Sequence, residues 1–252
     1  MSGVRAAPNV TSMSARNQPQ SLARDEETAD AVPPGAGERF SGYGVMGLPF
    51  ASGHYLAMRR MTASSVGPSY RAVWHRNPAG QWTVYADVPP EVSCARYVGS
   101  ALTATVTSPI ELTWSGPSSL HVAVPGVLTW HLEISSSFAT RAMTAIGARL
   151  PATACHASWF LRPMGAIAGP FLSVGRVKLR GLTPNDQTFG AIPRRVWRVE
   201  RSTAEVNGAD LGVPGPLPQQ AHLADLMMPQ RGIFYAENAM AYTTPARERV
   251  PA

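Results

Sequence analysis

From Ile110 to Ile134 apolar residues alternate with polar or small ones: Ile110, Leu112 and Trp114, then Leu120, Val122 and Val124, then Leu128, Trp130, Leu132 and Ile134. Period two is the signature of a strand, because successive side chains leave the backbone on opposite faces. Gly116-Pro117-Ser118 and Pro125-Gly126-Val127 interrupt the run at two places. It therefore folds into three antiparallel strands, in a register that lines up Leu112, Val122 and Trp130. A slip of one residue would invert a face, so the chain must contain a sheet with one committed apolar side.

The remaining sequence agrees with a β-rich fold. Glycine and proline number 22 and 23, scattered without a period, which favours many turns over long helices. Tyr70–Asp87 reads as a hairpin turning at Asn77-Pro78-Ala79-Gly80, with Trp74 set against Thr83, Ala72 against Tyr85 and Tyr70 against Asp87. Phe138–Leu150 has a helical period and stops at Pro151. Ala157–Leu172 is apolar but broken by Pro163, Gly165, Gly169 and Pro170, so it reads as a covering loop or a broken helix. Strand signals return at Gly175–Leu182, Arg194–Arg201, Thr203–Asn207 and Gly232–Asn238, with a short helix expected over Gln219–Met228.

The fold class expected is mainly β: an antiparallel barrel or sandwich of about eight to ten strands, with a lipocalin-like barrel preferred and one or two short helices. Residues 1–38 contain little to bury and read as a disordered N-terminal arm. Residues 39–244 form a single β-rich domain, and residues 245–252 a loose tail.

Hydrophobic residues make up 44% of the 252-residue chain, enough for one sizeable core. The formal charge is +6, but the basic residues are spread out. Lys178 is the sole lysine and there is no basic run of the kind a nucleic-acid partner would select. Cys94 and Cys155 read as buried thiols. Neither a secretory leader nor a membrane span is evident, so a cytoplasmic setting is expected. Oligomeric state is left open.

Gly42-Tyr43-Gly44-Val45-Met46-Gly47 matches a dinucleotide-binding fingerprint, but no strand precedes it and Leu48-Pro49-Phe50 cannot open a helix smoothly. It reads as a lead-in to the first strand, and no cofactor is expected. Nucleophile signatures of the G-x-S-x-G kind are missing.

Two faces remain as candidate sites. The first hairpin clusters Tyr70, Trp74, Tyr85 and Asp87, with His54 and Tyr55 on the strand before it. Aromatic rings with polar tips suit an apolar pocket with a few orienting groups. On that reading His54, Tyr70, Tyr85 and Asp87 are the orienting or acid/base groups, and Tyr55, Arg71, Trp74 and Trp82 contact the ligand. The expected function is binding of an apolar small molecule in a cavity of roughly 300 Å³ or more. Any conversion would be non-redox proton-transfer chemistry such as hydration, isomerisation or cyclisation.

The alternative face places His121 across from His131, with Glu133 two residues on, a ligand set seen in metal enzymes. Its plainer explanation is the solvated side of an antiparallel sheet. A third reading is a non-enzymatic interaction module that uses Arg194–Arg201 and the arm.

Overall fold

The computed structural model describes residues 17–29 and 31–243. Residues 1–16 of the expected arm and the tail at 245–252 lie outside the described residues. In chain order the elements are α1 (Pro19–Ala29), β1 (Glu38–Pro49), β2 (Tyr55–Ser64), β3 (Tyr70–Arg76), β4 (Trp82–Ala86), α2 (Ala95–Val98), β5 (Ala104–Thr107), β6 (Glu111–Gly116), β7 (Ser119–Val124) and β8 (Leu128–Ser135). There follow α3 (Phe138–Gly147), α4 (Ser158–Leu172), β9 (Arg180–Leu182), β10 (Thr188–Val206), β11 (Ala209–Asp210), β12 (His222–Leu223), β13 (Leu226–Met227) and β14 (Ile233–Tyr242).

One sheet runs in the order β5-β4-β3-β2-β1-β14-β10-β8-β7-β6. Its neighbours are antiparallel except β4 and β5. The fold is thus mainly β and of the barrel type. It is an open half-barrel, with β5 and β6 at its edges and, among the described residues, four α-helices where one or two were expected.

The curl is visible in the core. Leu56, Met58 and Val73 from one arm of the sheet share a cluster with Leu120, Val122, Trp130 and Leu132 from the other. The Ile110–Ile134 register forms as its alternation requires, with Leu112 opposite Val122 and Val122 opposite Trp130. The outer face is also covered. Tyr97 and Val98 of α2, Leu223 and Met228 pack on the side chains of β2–β4, and Leu161 of α4 packs on Ile192 of β10. No helix among the described residues is long and apolar enough to cross a membrane.

Four local readings are corrected by tertiary packing. Residues 19–29 of the expected arm are helix α1, which buries Leu22, Ala23 and Glu26. Eleven residues are marginal as an isolated helix, so the sheet beneath it makes the helix. Gln219–Met228 is not a helix but a β12–β13 hairpin, with His222 opposite Met227 and Ala224 at φ 50° in the turn. Ala157–Leu172 forms the continuous helix α4 in spite of Pro163 and Pro170. The G-x-G-x-x-G stretch lies inside β1 rather than ahead of it.

Candidate functional site

The first hairpin differs from its sequence reading by one residue, and the consequence is large. Asn77 and Gln81 close the turn: the Gln81 amide donates to Asn77 Oδ1 at 3.0 Å and the Asn77 amide to the Gln81 carbonyl at 3.0 Å. The loop is therefore three residues, Pro78-Ala79-Gly80, with Gly80 at φ 86°, a common hairpin solution. Trp74 now faces Val84, Val73 faces Tyr85 and Ala72 faces Ala86.

Tyr55, Tyr70, Trp74 and Trp82 consequently share the helix-covered face, while Tyr85 packs on the opposite face. Asp87 accepts from the Arg71 amide at 2.7 Å and from Arg71 Nη1 at 3.1 Å. The proposed cluster is split between two sides of the sheet. Of its members, Tyr70 and Trp74 line the cavity described below. Tyr55 is fully buried, its hydroxyl donating to the Pro229 carbonyl at 2.8 Å, and Trp82 packs against Tyr55 and Trp74.

His54 meets a partner the sequence reading did not include. His54 Nδ1 lies 2.9 Å from His75 Nε2, so one ring donates and the other accepts. Burial, reinforced by the neighbouring His54, pushes His75 down to about 4; burial also lowers His54. Because the unfolded chain takes up this proton first, the pair stabilises the fold above pH 6.5 and loses that contribution as pH falls toward 4. Urea denaturation should show a loss of about 2–3 kcal/mol across that window. His75→Gln should remove most of that pH dependence.

His121 and His131 stack with ring centroids 4.2 Å apart, as the register implied. Their face points outward, and Glu133 accepts from the Ser119 hydroxyl at 2.7 Å. Among the described residues no three His, Cys, Asp or Glu side chains converge as a metal site requires. Of the four arginines of the Arg194–Arg201 strand, Arg194 and Arg195 pair with Glu237 and Arg198 with Glu200.

A cavity lies between the sheet and the segments Val177–Leu179 and Leu226–Met228 that cover it. It measures about 80 Å³ and is lined by apolar side chains such as Phe40, Met61, Phe189 and Met240. Its polar groups are Arg59, Tyr70, Cys94, Lys178, Tyr235, Asn238 and Tyr242.

Arg59 and Arg60 are adjacent on β2 and must point to opposite faces. Arg60 reaches α1, donating from Nε to Glu27 Oε1 at 2.8 Å. Arg59 reaches the cavity. Its Nη1 donates to the Val45 carbonyl at 2.6 Å and to that of Met58 at 3.2 Å, and its Nη2 to that of Met46 at 3.3 Å. The guanidinium carbon lies 5.4 Å from the Trp74 ring centre and 5.6 Å from that of Tyr235. No carboxylate pairs with Arg59 among the described residues.

Tyr235 is buried and its hydroxyl lacks a hydrogen-bond partner among the described residues. A bulge in β14 brings Asn238 to the same space: Tyr235 pairs with Gly44 and Asn238 with Gly42, so two residues rather than one separate them on β14. The extra residue is Glu237, at φ 51°. Bulges re-aim side chains in this way; a regular strand would have turned Glu237 inward. Burial pushes Cys94 up to about 11 and raises Tyr70, Tyr235 and Tyr242 above the usual phenol range. Near neutral pH these groups are protonated donors.

The sequence reading missed Arg59, Tyr235 and Asn238. The available signal was the Arg59-Arg60 pair, which places one charge on each face of a strand that is apolar on both.

No protein-family model matches the sequence, and no curated protein sequence matches it either. Among solved structures the chain is similar to an acetoacetate decarboxylase from Legionella pneumophila subsp. pneumophila str. Philadelphia 1, at 10% identity and a TM-score of 0.39, over 93% of this chain and 96% of that one. At that score the likeness carries no functional argument.

Proposed function

We propose that the inner cavity binds a short organic monoanion, a carboxylate on a small apolar body, with Arg59 as its counter-ion. The observation that carries this reading is the Arg59 guanidinium, placed on an apolar wall with carbonyls and aromatic rings around it but no carboxylate. Arg59 is half-buried, and a guanidinium partly withdrawn from water gains from a compensating charge, which a bound carboxylate supplies. Tyr235 and Asn238 add hydrogen-bonding groups on the same wall.

Volume narrows the ligand. A single water needs about 10–15 Å³ on this measure, so about 80 Å³ accepts about five to eight non-hydrogen atoms. That is well below the roughly 300 Å³ of a drug-sized pocket, so in place of the apolar small molecule expected from sequence the reading here is a small acid.

Isothermal titration of three- to five-carbon carboxylates (a length set by the volume above) against their primary amides tests the reading. The acids should bind and the amides bind more weakly, and Arg59→Met should lose about 10- to 100-fold in affinity while remaining folded by circular dichroism at the titration temperature. Equal binding of acid and amide, or an Arg59→Met protein with unchanged affinity, would overturn it.

A further inference from the structure

A second, larger recess lies beside the inner cavity. It is a groove of about 980 Å³ that shares the strip Val177, Lys178 and Leu179 with the cavity wall. Four cations line it, Arg162 of α4 with Arg176, Lys178 and Arg180, against one carboxylate, Asp225. Lys178 and Asp225 form an ion pair. Arg162, Arg176 and Arg180 have no carboxylate partner among the described residues. Three guanidiniums without a carboxylate partner among the described residues thus line one groove.

The frame around them is tied down. Gln220 accepts from the Arg176 amide at 2.9 Å and donates to the carbonyls of Arg176 at 2.7 Å and Met228 at 3.0 Å. Asp225 accepts from the Leu182 amide at 2.9 Å. The backbone on both sides of Lys178 is thereby fixed before any ligand arrives, which lowers the ordering cost of binding. Ala166, Pro170 and Leu182 add apolar surface to the same groove.

We propose that this groove binds the phosphate or diphosphate group of a small soluble organic molecule. The guanidinium fork matches phosphate oxygens in pairs, three such forks exceed what a single carboxylate needs, and the volume falls within the range of an organic ligand. The proposal is independent of the inner-cavity reading, because none of the three arginines lines that cavity.

The test is calorimetric titration of the full chain with inorganic pyrophosphate and, as a charge control, sulfate. Pyrophosphate should bind at least about tenfold more tightly than sulfate. The double variant Arg176→Gln/Arg180→Gln should lose at least about tenfold while remaining folded, and Arg162→Gln should lose less. Arg59→Met should keep pyrophosphate binding, which separates this site from the cavity.

Equal binding of the two anions, or a double variant that binds as the wild type does, would overturn the proposal. So would sedimentation with phosphatidylglycerol vesicles that pyrophosphate fails to compete, which would assign the arginines to a lipid surface. That arm is needed because α4 also exposes Trp159 and Ile167, at 80% and 66%.

Discussion

Glu26→Gln is expected to stabilise the protein by about 3 kcal/mol at alkaline pH while leaving its stability near pH 5 almost unchanged. Glu26 is buried under α1, and burial pushes its carboxyl up to about 8, with the nearby charges of Glu237 and Glu27 adding to the effect. In the unfolded chain it ionises near 4.5, so the unfolded state releases its proton first as pH rises. Stability then falls between pH 4.5 and about 8. Glutamine removes the titration but keeps an oxygen for the bond that matters. Glu26 Oε1 accepts from the Glu237 amide, the spare N–H of the β14 bulge, while Oε2 has no partner among the described residues. The curve to measure is variant minus wild type from urea denaturation across pH, since the His54–His75 pair contributes the opposite slope below pH 6.5. A difference curve that stays flat would contradict the burial of this carboxyl. Glu26→Ala, which also strips the bulge of its acceptor, should destabilise at every pH.

Gly44→Ala should cost at least about 3 kcal/mol, more than any surface substitution. A Cβ at Gly44 would lie 2.3 Å from the Met58 carbonyl oxygen and 2.9 Å from the Tyr235 hydroxyl. The first of these is backbone in the neighbouring strand, so it cannot rotate away, and relief requires β1 and β2 to separate beside the cavity. Gly99→Ala serves as the control, because no atom lies within 4 Å of the added methyl there. Its melting temperature should stay within a degree or two of the wild type, for a change of less than about 0.5 kcal/mol. Equal melting temperatures for the two variants would mean that the glycines of β1 are not placed for close strand approach.

These expectations also show where the sequence was informative. Ile110–Ile134 was legible because every strand in it alternates and its turns leave one register that buries the tryptophans. The first hairpin was misread because Asn77-Pro78-Ala79-Gly80 was counted as a four-residue loop, whereas Asn77 belongs to the ladder with Gln81. That single residue moved Tyr85 and Asp87 to the far side of the sheet and dissolved the cluster built on them. The site was harder to see than the fold, since Asn238 reaches the cavity through a bulge that a glutamate distant in sequence caps. Local pattern carries no record of such a contact. Helix α1 was missed for a related reason: its stability resides in Leu22, Ala23 and Glu26 packing on strands that come later in the chain.

The central claim is that Arg59 holds a small carboxylate inside the sheet's covered face, and crystals soaked in 3-bromopropanoate address it directly. This acid has a size the cavity admits, and its bromine marks its position by anomalous scattering. The account predicts one anomalous peak among Met61, Phe189 and Met240, with the carboxylate on the Arg59 guanidinium, and no such peak in crystals of Arg59→Met. An empty cavity with bromine only on the outer surface, or an acid in the cavity turned away from Arg59, would contradict it.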